Sequence, residues 1–116
     1  MKSSHIRKGR EGEERAQQYL RGKGYTILET NFRALRKEID IIARLGEEMV
    51  FVEVKTRRTR DFGDPTEAVD RGKQRRIRQA ALSYLQQKSL QEAPCRFDVI
   101  SIVLCTGELE HIEQAF

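Results

Sequence analysis

The sequence predicts one α/β domain over residues 1–116, with helices packed on a mixed β-sheet of four to five strands. Three observations indicate this class. Residues 37–55 hold two apolar runs rich in Val, Ile and Phe around a Gly, which is typical of a β-hairpin. Residues 8–23 and 66–88 have helical periodicity, and another apolar run at 96–105 follows the second helix. A chain of 116 residues is long enough for one hydrophobic core.

The N-terminal part of the chain predicts a helix and then a strand. Residues 1–7 are expected to be a disordered tail, and the helix runs from about Lys8 to Lys23, where glycines end it. The side chains on its apolar face are Ala16, Tyr19 and Leu20. Residues 25–32 read as a first strand, which a short basic turn connects to the hairpin.

The hairpin brings two acids and an amine together. If Gly46 and Glu47 are the two loop residues of a type II′ turn, Asp40 lies directly opposite Glu53. Opposed residues on one sheet face have Cβ atoms about 4.5–5.5 Å apart. Because side chains alternate along a strand, Lys55 lies on the same side as Glu53.

This arrangement suits a cation-dependent reaction. Opposed carboxylates destabilise a strand pair unless a positive group lies between them, and Mg²⁺ binds through one or two carboxylates, water and substrate phosphate. Asp40 and Glu53 are therefore candidate ligands, and Lys55 could orient a water molecule or neutralise developing charge. The alternative is that these side chains only decorate a solvated sheet face.

The second half of the chain predicts a β-α-β crossover. Residues 57–66 form a polar loop, and Thr66 is a suitable N-cap for a helix that runs to about Lys88. The residues on its apolar face are Ile77, Ala80, Ala81, Tyr84 and Leu85. Residues 96–105 then form a fourth strand parallel to the third, and 108–112 could add a fifth at the edge.

Four segments of the chain resemble the YraN family of small bacterial predicted nucleases. They are Gly9–Ala16, Glu38–Asp40, Phe51–Arg57 and Arg96–Val99. The chain is also similar to restriction-endonuclease-like nucleases, which include archaeal Holliday-junction resolvases. One departure is Lys37, which stands where the family usually has Gly. The resemblance implies a three-layer restriction-endonuclease-like fold and a Mg²⁺ or Mn²⁺ site.

Two more acids, Glu13 and Glu38, are expected to have different roles. The resemblance singles out Glu13 as a third acidic group, which would bind metal directly or through water, although by sequence alone Glu11, Glu13 and Glu14 are equivalent. Glu38 falls opposite Lys55 in the predicted register, so we expect a cross-strand ion pair between them.

The charge distribution favours a nucleic-acid partner. The net charge is +4, and consecutive blocks carry +6 (1–37), −4 (38–53), +5 (54–78) and −3 (79–116). An acidic segment with the motif is thus flanked by two basic segments, which suits a phosphate-bearing polymer. The candidate phosphate contacts are Arg10, Arg57, Arg58, Lys73 and Arg76. The alternative is an ordinary solvated surface.

Several classes of protein are disfavoured. No run approaches the 18 or so apolar residues of a membrane span, and the first ten residues lack a secretory core, so a cytoplasmic protein is expected. Cys95 and Cys105 are expected to be reduced thiols, with a disulfide as the alternative. His5 and His111 have no zinc-ligand spacing.

Together these observations predict hydrolysis of DNA phosphodiester bonds with Mg²⁺ or Mn²⁺, by an endonuclease for branched or processed DNA in recombination or repair. The residues do not separate DNA from RNA. Two alternatives remain open: a nucleic-acid-binding module without chemistry, and a subunit that needs a partner for activity. A homodimer is expected only by analogy with related resolvases.

Overall fold

The computed structural model describes residues 3–59 and 69–116, with side chains from Arg10 onward. Its elements are α1 (Ser3–Gly22), β1 (Thr26–Ala34), β2 (Lys37–Leu45), β3 (Glu48–Arg57), α2 (Arg71–Gln87), β4 (Cys95–Val103) and β5 (Leu109–Ile112). The strands form one sheet in the order β1-β2-β3-β4-β5, in which only β3 and β4 are parallel. The predicted α/β class and the crossover from β3 through α2 to β4 are confirmed. The arrangement is compatible with a three-layer restriction-endonuclease-like fold.

The helix starts differ from those predicted. α1 begins at Ser3, within the segment expected to be a tail, and not at about Lys8. The N-cap of α2 is Asp70, whose carboxylate accepts the N–H of Lys73 at 2.8 Å. The prediction of Thr66 as the N-cap was therefore wrong, and Thr66 itself lies outside the described residues. Thr and Asp are both good N-caps, so their local chemistry did not separate them.

Tight turns set the register of the first three strands. Leu35 and Arg36 connect β1 to β2 with positive φ angles of 52° and 66°, as a type I′ turn requires. Gly46 has φ of 62° between β2 and β3, which agrees with the predicted type II′ turn. The predicted register of this hairpin is confirmed for Ile41–Val52, Ile42–Phe51, Ala43–Val50, Arg44–Met49 and Leu45–Glu48.

One helix packs on each face of the sheet. On one face, buried side chains of α2 meet strand residues that include Ile39, Ile42, Met49 and Phe51. On the other, Ala16 and Leu20 of α1 meet Ile41, Ala43, Val50, Val52, Ile100 and Ile102. Among the described residues, neither helix has the length and apolar character needed to span a membrane. Cys95 and Cys105 are free, as predicted, and both are exposed.

The alternation of β2 changes phase at Asp40. Ile39 packs in the core below α2, whereas Ile41 packs in the core below α1. Regular alternation would place two residues at this spacing on the same face. The regular pairing of β2 with β3 also stops at Ile41–Val52. The sheet is therefore irregular at Asp40, and the predicted Asp40–Glu53 pair is not part of the ladder.

A buried polar network ties β4 to the C-terminal segment. The Asp98 carboxylate, fully buried, accepts from Nε of Arg96 at 3.0 Å, Nε2 of His111 at 2.6 Å and the N–H of Gln114 at 3.1 Å. Burial alone would raise the pKa of Asp98, but the hydrogen bonds from His111 and Arg96 outweigh it and lower the pKa. Asp98 is therefore held as a carboxylate by its partners in this network.

Candidate metal site

Three carboxylates converge where the β2–β3 ladder ends. Glu13 comes from α1, and Glu38 and Asp40 come from β2; each offers an oxygen within 4.8 Å of those of the other two. All three side chains are half-buried. We call Glu13, Glu38 and Asp40 the acidic cluster.

Asp40 is the best-anchored member of the acidic cluster. Its Oδ2 accepts the backbone N–H of Val54 at 2.8 Å, so its side chain links β2 to β3 just beyond the last backbone pair. Burial, and then the negative charges of Glu53, Glu13 and Glu38, raise the pKa of Asp40 to about 8, against the effect of the Val54 hydrogen bond. Without a cation, this carboxyl is therefore largely protonated at neutral pH.

Asn31 holds the other two acids together. With its amide nitrogen turned toward them, Asn31 donates to Glu13 at 3.0 Å and to Glu38 at 3.2 Å. Its backbone φ of 53° is in the left-handed region, which Asn tolerates better than most residues. Burial and the charges of Glu38 and Glu53 raise the pKa of Glu13, although the Asn31 hydrogen bond opposes the shift. No local pattern in the sequence marks Asn31 as part of the site.

Glu38 forms a cross-strand ion pair, as predicted, but the predicted partner was wrong. Glu38 lies opposite Arg33 on β1 and pairs with its guanidinium at 3.6 Å, whereas an ion pair with Lys55 was expected. The physical reason is that regular pairing of β2 with β3 ends before this position, whereas the β1–β2 ladder continues through it. One feature of the sequence could have indicated that Glu38 lies beside Asp40. The two are separated by one residue, and alternate residues of a strand share a face.

Glu53 and Lys55 lie next to the acidic cluster. Glu53 is 7% exposed, and its Oε2 lies 3.6 Å from Nζ of Lys55 and 3.7 Å from Nζ of Lys37. The negative charge of Glu53 contributes to the raised pKa of Asp40 and of Glu13. Glu53 therefore interacts electrostatically with the acidic cluster. Glu53 nevertheless stands outside the group of three that offer closely spaced ligand atoms.

The site has an acidic side and a basic side. Alternation along β3 places Glu53 and Lys55 on the same face as Phe51, which packs below α2. Glu13 approaches from α1, on the opposite face. Asp40 lies between them, where the sheet is irregular. The irregularity thus lets groups from both faces share one site.

Of the five predicted phosphate contacts, two lie near this site. Lys73 lies in the first turn of α2, and contact with Lys55, together with burial, lowers the pKa of Lys73. Arg10 is exposed on α1, and its positive charge opposes the raised pKa of Glu13.

The other three stand on β3, on α2 and beside an open cavity. Arg57 ends β3, Arg76 is exposed on α2, and Arg58 lines an open cavity of about 460 Å³ with Thr59, Leu104 and Cys105. Their role in binding phosphate stays a prediction.

Because Gly12 has no side chain, α1 can approach β3 closely, and this approach brings Glu13 to the acidic cluster. A Cβ at Gly12 would lie 2.4 Å from Oγ1 of Thr56, a contact that real side chains do not make. Gly12→Ala is therefore expected to lower the free energy of unfolding by about 1–3 kcal/mol through overpacking. It should also weaken binding of Mn²⁺, because α1 must move away from Asp40. Chemical denaturation and calorimetry would measure the two effects.

Two variants control this prediction. Gly22→Ala adds the same methyl group to α1 where nothing lies within 4 Å, so it should leave stability and cation binding unchanged or slightly improved. Adding Thr56→Ala to Gly12→Ala removes the clashing oxygen and leaves the Thr56 Cβ at 3.6 Å, so it should restore most of the loss. Equal effects of Gly12→Ala and Gly22→Ala would contradict the prediction.

Comparison with known proteins finds relatives along almost the whole chain. The model of the uncharacterised protein family UPF0102 matches residues 12–102. A UPF0102 protein of Geotalea uraniireducens is 50% identical, over 93% of this chain and 87% of its own length. One of Moorella thermoacetica is 45% identical over the full length of both chains. One of Dictyoglomus turgidum is 44% identical, over 93% of this chain and 95% of its own. The matched region contains the acidic cluster, Glu53 and Lys55.

Proposed function

The chain belongs to the uncharacterised protein family UPF0102, and we propose that it hydrolyses DNA phosphodiester bonds with the help of a divalent cation. The observation that carries the proposal is the convergence of the acidic cluster beside the ion pair that buried Glu53 makes with half-buried Lys55. Branched or processed DNA, as in recombination and repair, is the substrate class that the resemblance to resolvases implies.

The donor set fits Mg²⁺ or Mn²⁺. Glu13, Glu38 and Asp40 offer only carboxylate oxygens, the ligands that these hard cations prefer. Bound there, the cation would polarise a phosphoryl oxygen and lower the pKa of a water molecule. Glu53 also remains a predicted ligand, although it would have to give up a lysine contact to serve as one.

The protein's own groups supply positioning and charge. Asp40 releases its proton when it becomes a ligand, because only the carboxylate binds a metal. Lys55 is held by the buried Glu53 and is the amine best placed to neutralise negative charge that develops on the phosphate. The predicted basic contacts would hold the DNA backbone without reading its sequence.

A cleavage panel tests this proposal. Purified protein should cut at least one of duplex, single-stranded, flap or four-way DNA with Mg²⁺ or Mn²⁺, and chelation should stop the reaction. Lys55→Ala is expected to reduce the rate at least about 100-fold, because a preorganised charge is lost. Lys88→Ala removes an exposed lysine that directly follows α2, and it should leave the cleavage rate unchanged. Absence of cleavage on every substrate would contradict the proposal.

One observation favours a second candidate, a DNA-binding protein without chemistry. Glu53 is paired with two lysines and stands outside the acidic cluster, as expected of a purely structural ion pair. Calorimetry with Mn²⁺ separates the candidates. A catalytic protein needs a cation site that is lost in Asp40→Asn, whereas a pure DNA binder needs none.

A further inference from the structure

The turn between β1 and β2 presents an apolar side chain to solvent. Leu35 is 63% exposed, the largest exposed fraction among the large apolar side chains that the structure describes. Its neighbour in the turn, Arg36, is also exposed. We call Leu35 and Arg36 the hairpin tip. A single exposed leucine needs no explanation by itself, but this one has an unfavourable backbone conformation and lies beside the candidate metal site.

The residue types of the hairpin tip do not suit its backbone. Leu35 and Arg36 have φ of 52° and 66°, in the left-handed region that residues with bulky side chains disfavour. Turns of this type strongly prefer Asn followed by Gly, which adopt these angles at little cost. A turn that only joined two strands would therefore be more stable with Asn and Gly. Strain that is kept at an exposed position indicates a role for the side chains themselves.

Two ion pairs hold the hairpin tip beside the candidate metal site. On the β1 side, Arg33 pairs with Glu38 of the acidic cluster at 3.6 Å. On the β2 side, the amine of Lys37 lies 3.7 Å from Oε2 of Glu53. Arg33 and Lys37 are one or two positions from the hairpin tip, and two residues of extended chain span about 7 Å. Because β2 and β3 are antiparallel, the hairpin tip also stands at the end of the sheet where β3 carries Lys55.

We propose that the hairpin tip is a wedge for DNA, in which Leu35 inserts between neighbouring bases and Arg36 contacts the phosphates beside them. That the polymer is DNA rests on the proposed function. An apolar side chain gains free energy when it leaves water for the faces of unstacked bases, and inserted side chains of this kind kink DNA. Arg36 and Arg33, the latter 79% exposed, lie on either side of Leu35 along the chain and supply positive charge toward the phosphates. An apolar protein partner would match the leucine but not these arginines.

A wedge at this position favours DNA in which stacking is already interrupted. Inserting a side chain into a regular duplex costs the free energy of unstacking a base step. This cost is smaller at a branch point, a flap or a mismatch, because the bases there are already poorly stacked or unpaired. The hairpin tip therefore gives a physical reason for branched DNA to be preferred over linear duplex.

The fluorescence of 2-aminopurine tests the wedge in metal-free buffer, where no cleavage occurs. The probe base is placed at the branch point of a flap and at the same sequence position of a linear duplex. Binding of the wild type should raise the fluorescence of the flap, because the probe base loses a stacking partner. Leu35→Asn should abolish this rise and weaken binding of the flap at least about tenfold, with affinity for the linear duplex nearly unchanged. The same variant should melt about 2–5 °C above the wild type, because Asn tolerates a φ of 52° better than Leu does.

Two variants separate the wedge from a general loss of apolar surface. Leu82→Gln is the matched control, because Leu82 is 52% exposed in the second half of α2. It should leave the fluorescence rise and the affinity for the flap unchanged. Leu35→Met keeps an apolar side chain in the hairpin tip and should keep the rise.

The outcomes distinguish the wedge from the proposed function. A rise that is lost in a more stable Leu35→Asn supports the wedge even if no DNA is cleaved. Cation-dependent cleavage by the wild type, with the rise retained in Leu35→Asn, overturns the wedge and leaves the proposed function standing. No rise with the wild type, or an equal loss in Leu82→Gln, also overturns the wedge.

Discussion

Asp40→Asn is expected to abolish cation-dependent cleavage and, in the same protein, to raise the melting temperature in metal-free buffer at neutral pH. The amide keeps an oxygen that can accept the Val54 N–H, so the link between β2 and β3 survives. It cannot serve as a charged ligand beside Glu13 and Glu38. The activity lost is expected to be at least about 100-fold.

The stability effect follows from the raised pKa of Asp40. A carboxyl that holds its proton more tightly in the folded protein favours folding at low pH, and this contribution is lost as pH rises from about 4 to about 8. Asn has no such proton to lose. The melting temperature of the variant should therefore exceed that of the wild type by a growing margin across this range, reaching at least about 5 °C near its upper end.

Thermal unfolding with and without Mg²⁺ checks both parts. Mg²⁺ should raise the melting temperature of the wild type more at alkaline than at acidic pH, and should not affect Asp40→Asn. Glu47→Gln is the matched control, because it removes an exposed acid from the turn between β2 and β3. Parallel pH curves for wild type and Asp40→Asn would refute the assignment of the raised pKa.

Asp98→Ala is expected to cost about 3–5 kcal/mol of unfolding free energy, the largest stability loss predicted for this protein. Removing the carboxylate leaves the guanidinium of Arg96 buried without its main partner, and it leaves His111 and the Gln114 N–H without an acceptor. The Arg96 side chain is only 8% exposed, so water cannot replace the lost contacts. Urea unfolding followed by circular dichroism would measure the change.

A neighbouring acid provides the comparison. Glu113 also pairs with Arg96, at 3.7 Å, but its side chain is 56% exposed, so Glu113→Ala should cost less than about 1 kcal/mol. Replacing Arg96 and Asp98 together by Met and Leu should be less damaging than Asp98→Ala alone, because no unpaired charge remains. If Asp98→Ala and Glu113→Ala were equally mild, the network would not be a major source of stability.

Features that depend on neighbours along the chain were predictable without coordinates. Gly46 and the alternating residues around it fixed the hairpin register, because a two-residue loop permits only one pairing that buries the apolar side chains. The apolar stripe of α2 was predictable for the same reason, since Ile77, Ala80 and Tyr84 recur at helical spacing and are buried. The order of strands along the chain then implied the crossover.

Which side chains meet depends on how the strands and helices pack together. Three features could not be predicted locally, because the competing groups are equivalent in their local sequence. They are the extent of the β2–β3 ladder at Asp40, the pairing of Glu38 with Arg33 or Lys55, and the start of α2 after Thr66 or Asp70. Only the three-dimensional arrangement of the strands and helices distinguishes them. Asn31 and Glu13 come from different elements, so their convergence on one site depends on long-range contacts that no local pattern records.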